Sequence, residues 1–113
     1  MTYKHGHVVS ISDPHERRAS RPVVIISDSD VPDHGELYTT AALTGSEHYG
    51  QNRYAVAVET HEPAVDELLK RSYVEPWVTQ QVHHDDIRDV HARFGAETMK
   101  RIAEGFATMI LRG

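Results

Sequence analysis

The chain has 113 residues, of which 39% are hydrophobic, so residues 1–113 are sufficient for one compact domain but not for two. The absence of cysteine excludes a disulfide framework and thiolate-bound zinc. The formal net charge of −5 argues against electrostatic wrapping of long DNA but permits a short basic cleft. Because no apolar run approaches the length of a bilayer and no signal-peptide core follows the first residues, we expect a soluble, cytoplasmic protein without a membrane partner.

Short apolar runs and period-2 alternation predict strands through the first two-thirds of the chain. The predicted strands cover residues 7–12, 22–27, 37–43, 53–59 and 72–78. Segments rich in Ser, Asp, Gly, Pro and Asn separate the first four of them, which is typical of turns. The segment 63–71 predicts one or two helical turns, since Pro63 suits a first helical position.

The last third of the chain is predicted to be helical. The segment 83–91 is interpreted as a polar helix start, because Asp85 and Asp86 favour the positive end of a helix dipole. From Ala96, apolar residues recur every three or four positions, as in an amphipathic helix. They are Met99, Ile102, Ala103, Phe106, Met109 and Ile110. Strands followed by a helix predict an α+β fold, most simply a strongly curved antiparallel sheet or half-open barrel covered by the C-terminal helix.

The segment 83–91 also brings histidines and carboxylates together, as metal sites do. Helical spacing would align His84 with Arg88 and His91, which does not make a set of three ligands. The chain also lacks a glycine-rich phosphate loop. We therefore expect neither a metal nor a cofactor, and a metal-binding regulator stays open as a weaker alternative.

Three motifs follow one another along the chain: RPVVIIS at residues 21–27, AALTG at 41–45 and ETMKRIAEGF at 97–106. Together with the opening KHGHVVSI, they resemble the PemK/MazF family of toxin endoribonucleases over nearly the whole chain. The resemblance implies an SH3-like antiparallel β-barrel of about five to seven strands with a C-terminal helix. It also implies a homodimer, a cognate antitoxin protein, and metal-independent cleavage of single-stranded RNA that leaves a 2′,3′-cyclic phosphate and a 5′-hydroxyl.

Metal-independent cleavage requires the protein to accept one proton, donate another and stabilise negative charge on the phosphate. Arg21 precedes a proline and is therefore biased towards extended backbone at the start of a strand, where its guanidinium can bind a phosphate. Thr44 ends the next strand, where its hydroxyl can donate to a phosphate oxygen while Gly45 permits close approach. The matching arginine and threonine of the family are catalytic.

His15 and Glu16 precede Arg21 by six and five residues, the spacing at which some family members place a His-Glu pair. Glu16 is the predicted general base, because partial burial would raise its pKa, and His15 is the predicted general acid. The further residues predicted to contact RNA are Arg17, Arg18, Ser20, Tyr49 and Glu75. For Arg17 and Arg18, an exposed basic loop in solvent is an equal alternative.

One segment departs from the family pattern. Many members carry an acid-Gln-x-Arg-Thr motif where this chain has WVTQQV at residues 77–82, so the acid and the arginine are missing. Glu75 lies two residues earlier and can substitute as the carboxylate. Trp77 and Tyr73 are more typical of a core than of a base-stacking surface. The departure leaves open an alternative function, a catalytically degenerate barrel that binds RNA or protein.

Overall fold

The computed structural model describes residues 2–12 and 20–112. The predicted site residues His15, Glu16, Arg17 and Arg18 lie outside the described residues. Six strands and two α-helices are present in the part described. They are β1 (His7–Ile11), β2 (Arg21–Ile25), β3 (Leu37–Thr44), α1 (Glu47–Gly50), β4 (Val56–Val58), β5 (Ser72–His83), β6 (Ile87–Arg93) and α2 (Ala96–Arg112), with a 3-10 turn at His84–Asp86.

The six strands form one sheet in the order β4-β5-β3-β2-β1-β6, and every neighbouring pair is antiparallel. Irregularities in the register bend the sheet into a curled half-barrel, since a bulge increases local twist and bends its strand. The largest irregularity lies on β5, whose register against β3 jumps from Ala42 opposite Glu75 to Ala41 opposite Thr79. Residues 76–78 therefore have no partner on β3, a position that suits Pro76 because proline lacks a backbone N–H.

The two faces of the sheet bury separate apolar clusters. The cluster under α2 contains Val8, Val24, Ala41, Leu43, Val58, Val74, Ala92, Phe94, Met99 and Ile102. The other cluster contains Val9, Ile11, Val23, Ile25, Tyr38, Val82 and Ile87. Neighbouring residues of one strand, such as Val23 and Val24, belong to different clusters because side chains alternate between the faces of a strand. Both faces are apolar, which is why these strands appear as continuous apolar runs in the sequence.

The α+β prediction is confirmed, as are an antiparallel half-barrel of six strands and the amphipathic helix from Ala96. The helix α2 covers the first cluster through Met99 and Ile102, while its charged side chains are exposed. Within the described residues, no helix has both the length and the apolar character needed to span a bilayer.

Two predicted helical segments were wrong. The segment 83–91 contains the last residue of β5, a 3-10 turn and most of β6, which pairs with β1 along the sheet edge. Only Ile87 and Ala92 of this edge strand are buried, so its sequence lacks period-2 alternation. The segment 63–71 is not helical: Asp66 has a φ of 60°, which a right-handed helix cannot contain, and Leu69 is fully exposed.

Several predicted boundaries were also wrong. The fourth strand is limited to Val56–Val58, and β5 continues to His83, five residues beyond the predicted end. The segment between β3 and β4, predicted as a turn, contains the short helix α1.

Gly105 lies where α2 packs closely against the strand region around β4. A Cβ at this position would lie 2.8 Å from Cγ2 of Val56 and 3.2 Å from the carbonyl oxygen of Tyr54. Any side chain here would push the helix away from the sheet.

We expect Gly105→Ala to lower the free energy of unfolding by about 1 kcal/mol, measured by urea denaturation. Overpacking costs about 1–3 kcal/mol, and this exceeds the gain in helix propensity of about 1 kcal/mol. Thr108→Ala, at an exposed position of the same helix, is the control and should leave stability unchanged or slightly higher. A more stable Gly105→Ala protein would contradict the close contact.

Candidate functional site

A cavity of about 560 Å³ lies at one end of the sheet, where the start of β2, the end of β3, helix α1 and the irregular part of β5 meet. We call it the Arg21 cavity. Its lining residues are Arg21, Leu43, Thr44, Ser46, Tyr49, Glu75, Trp77 and Val78.

Strand register explains why residues far apart in sequence meet in this cavity. Val23 lies opposite Ala42, and Ala42 lies opposite Glu75, so one row crosses three strands. Arg21 is two residues before Val23 and Thr44 is two residues after Ala42. Because side chains two apart on a strand share a face, Arg21, Thr44 and Glu75 project from the same face of the sheet. The predicted pairing of the arginine with the strand-terminal hydroxyl agrees with this arrangement.

Arg21 and Glu75 form an ion pair across the strands, with 3.7 Å between Nη2 and Oε1. The side chain of Glu75 is only 6% exposed, whereas that of Arg21 is 26% exposed. Burial raises the pKa of Glu75 above its ordinary value, and the positive charge of Arg21 offsets part of this shift. Glu75 therefore binds a proton more readily than a surface glutamate does, a property typical of groups that transfer protons.

Thr44 is fixed at the end of β3 by a local hydrogen bond. Its Oγ1 accepts from the backbone N–H of Ser46 at 3.2 Å. Because this bond uses the oxygen as an acceptor, the hydroxyl proton can donate into the cavity. A guanidinium and a hydroxyl on one face form a set of donors suited to the oxygens of a phosphate.

Two aromatic side chains lie at the rim of the cavity. Tyr49 on α1 is 53% exposed, and Trp77 on the unpaired part of β5 is 37% exposed. Exposed aromatic faces beside a cationic group are suited to stacking on nucleic acid bases. The sequence reasoning favoured a core position for Trp77 and was wrong, because residues 76–78 of β5 have no partner on β3. The same prediction for Tyr73 is confirmed, since that residue is 4% exposed.

The structure brings together Arg21, Thr44, Tyr49 and Glu75 from the predicted set. Ser20 is exposed and lines a neighbouring cavity of about 480 Å³ instead, together with Pro22 and Lys70. Sequence reasoning did not identify Leu43, Ser46 or Val78 as lining residues. Of these three residues, only Ser46 has a signal in the sequence, because it follows Thr44 and Gly45 at the end of a predicted strand.

Within the described ranges 2–12 and 20–112, no group of three His, Asp or Glu side chains is arranged to hold a metal ion. The three histidines of the segment 83–91 are spread over the end of β5, the 3-10 turn and β6 rather than along one helix face.

Solved structures with the same fold include several toxins. A mycobacterial endoribonuclease in complex with its cognate antitoxin has a TM-score of 0.72 at 19% identity, over 96% of this chain and 93% of that chain. Mycobacterium tuberculosis toxin MazF-mt6 has a TM-score of 0.71 at 21% identity, over 92% and 95%. A MazE-MazF structure from Deinococcus radiodurans has a TM-score of 0.71 at 12% identity, over 97% and 96%. At these identities the likeness concerns the fold alone.

No curated protein sequence matches the chain significantly. The family model for the PemK-like, MazF-like toxin of type II toxin-antitoxin systems, in contrast, matches residues 4–110. This match covers nearly the whole chain and agrees with the sheet order, the C-terminal helix and the similar solved structures. The chain therefore belongs to the family of PemK-like, MazF-like toxins of type II toxin-antitoxin systems.

Proposed function

We propose that this protein is a toxin endoribonuclease that cleaves single-stranded RNA without a metal, through attack of the 2′-hydroxyl on the neighbouring phosphate. The observation that carries the proposal is the ion pair of Arg21 and Glu75, 3.7 Å apart, in the same cavity as Thr44. The products are a 2′,3′-cyclic phosphate and a 5′-hydroxyl. Family membership and the solved endoribonucleases of this fold support the same activity.

In this proposal Arg21 and Thr44 bind the scissile phosphate and stabilise the charge that develops on it. A carboxylate then accepts the proton of the 2′-hydroxyl, and the chain offers two carboxylates for this role. Glu16 is supported by its spacing from Arg21, and Glu75 by its place in the cavity and its raised pKa. We favour Glu75 because it lines the same cavity as Arg21 and Thr44. His15 remains the proposed proton donor to the leaving 5′-oxygen.

The remaining RNA contacts are proposed at the cavity margin. Tyr49 and Trp77 stack on bases beside the scissile phosphate. Ser20, in the neighbouring cavity, together with Arg17 and Arg18 contacts the RNA backbone further along.

We further propose that the protein forms a homodimer and acts in the cytoplasm, where its RNA substrate is found. A cognate antitoxin that covers the Arg21 cavity is the proposed inhibitor. Solved structures of this fold include a mycobacterial endoribonuclease with its cognate antitoxin and a MazE-MazF pair, which supports such a partner.

Arg21→Ala is expected to reduce RNA cleavage by about a hundredfold to a thousandfold, because the phosphate loses its principal cationic donor. The measurement is cleavage of a mixed-sequence RNA in chelator, with chemical analysis of the new ends. Arg112→Ala is the control. It removes a positive charge from the last turn of α2, outside the Arg21 cavity, and should retain full activity. Intact RNA after incubation with the unmodified protein would favour a degenerate barrel that only binds.

Glu75→Gln is expected to reduce the cleavage rate by about a hundredfold to ten-thousandfold, because the amide cannot accept the 2′-hydroxyl proton. The matched variant is Glu16→Gln, which changes the competing carboxylate in the same way. If Glu16→Gln shows the large loss and Glu75→Gln does not, the base is Glu16 and the role of Glu75 in proton transfer is wrong.

The raised pKa of Glu75 also predicts an effect on stability. The folded protein binds this proton more tightly than the unfolded chain, so stability decreases as pH rises above about 4.5 through the folded pKa. Glu75→Gln removes the free-energy cost of ionising this buried carboxyl. The thermal midpoint of the variant should therefore exceed that of the unmodified protein at about pH 7.5 but not at about pH 4. The control Glu104→Gln, exposed on α2, should show no such change between the two pH values. A lower midpoint for Glu75→Gln at both pH values would contradict the prediction.

A further inference from the structure

Helix α1 places Tyr49 at the rim of the Arg21 cavity, but interactions within the helix are too few to keep it folded and in place. It is four residues long, it has no buried residue, and Ser46 at its start makes no side-chain capping bond. A helix this short is unstable by itself, because too few hydrogen bonds form to offset the cost of nucleation. The place of Tyr49 must therefore be set by contacts between α1 and the rest of the fold.

The contacts come from Tyr73 on β5, at both ends of α1. The Tyr73 hydroxyl donates to Oε2 of Glu47, the first residue of the helix, at 2.7 Å. The Tyr73 ring lies against Gly50, the last residue, so closely that a Cβ there would be 2.5 Å from the ring. Only glycine permits this approach, and Tyr73 is itself 4% exposed.

Arg71 holds the Tyr73 hydroxyl from the other side. Its guanidinium donates to that hydroxyl and lies 5.0 Å from the ring centroid. Its Nε donates to Glu59 at 2.7 Å, and its Nη1 lies 3.8 Å from Oε1 of Glu47. Because the hydroxyl oxygen accepts from Arg71, its proton is directed to Glu47. The bond to Glu47, together with burial, raises the pKa of Tyr73, so the hydroxyl stays protonated.

The same tyrosine lies beside the phosphate-binding end of the cavity. In the sheet register Tyr73 is directly opposite Thr44, whose Oγ1 accepts from Ser46 immediately before α1. Tyr73 thus touches α1 through its side chain and faces Thr44 across the strands. Tyr73 therefore links the position of Tyr49 to the strand end that carries Thr44.

We propose that Tyr73 is a positioning residue: its hydroxyl, held between Arg71 and Glu47, fixes α1 so that Tyr49 stacks on the base next to the scissile phosphate. The proposal rests on the proposed ribonuclease function. It assigns Tyr73 to substrate binding and not to the chemical step, since Arg21, Thr44 and Glu75 stand on strands that pair with one another in the sheet.

Tyr73→Phe tests the proposal, because it keeps the ring against Gly50 and removes only the hydroxyl. We expect the KM for a short single-stranded RNA to rise about fivefold to a hundredfold, the range for losing one base stack, with kcat within about twofold. Tyr54→Phe is the matched control and should leave both parameters unchanged. In a Tyr49→Ala background, Tyr73→Phe should have no additional effect on KM. Independent effects of the two substitutions, or a loss confined to kcat, would overturn the proposal.

A measurement without RNA separates this proposal from the ribonuclease function. The N–H of Gly50 donates to Ser46 at 3.0 Å and that of Gln51 donates to Glu47 at 3.2 Å, so both report whether α1 is intact. Hydrogen exchange at these two amides should accelerate in Tyr73→Phe but not in Tyr54→Phe. Unchanged exchange overturns the positioning role even if RNA is cleaved. Accelerated exchange in a protein that never cleaves RNA would show instead that the ribonuclease function is wrong.

Discussion

The Arg21 cavity depends on a carboxylate being kept beside a guanidinium where the neighbouring residues across the strands are apolar. Glu75 shares its row with Val23 and Ala42, both almost fully buried, so its charge has little access to solvent. A buried charge is tolerated when it is paired, and the more exposed Arg21 supplies the partner. An RNA phosphate that approaches Arg21 would bring a second negative charge close to Glu75. This charge would raise the pKa of Glu75 further and make the carboxylate a stronger proton acceptor at the moment the substrate binds.

The irregular register of β5 gives the cavity its depth and its aromatic rim. A regular strand after Glu75 would continue to pair with β3 and would leave no space beside Arg21. Residues 76–78 instead leave the ladder, and this turns Trp77 and Val78 towards the opening. Bulges are frequent next to active sites, where they redirect a side chain that regular pairing would bury. The polar residues after the bulge then resume pairing with β3, so the sheet remains continuous on both sides of the cavity.

The parts of the site that sequence reasoning could predict are those encoded locally. Arg21 before a proline and Thr44 before a glycine each mark a strand end by their own backbone preferences, and the structure places both in one cavity. The juxtaposition of Arg21 with Glu75 depends on the register of three strands, which no local pattern encodes. The strand β6 was missed for a related reason. An edge strand with two buried side chains is stabilised mainly by backbone pairing with β1, which leaves little trace in the order of its side chains.

The absence of any buried side chain in α1 separates the outward-facing positions of this helix from the residues that keep the protein folded. The helix is held through Glu47 and Gly50, whereas His48 and Tyr49 between them face outwards. Mutations at positions 48 and 49 can therefore accumulate with little cost to the core, because exposed substitutions usually change stability by less than about 0.5 kcal/mol. If Tyr49 stacks on a base as proposed, substitutions here change which base is preferred while the scaffold stays the same.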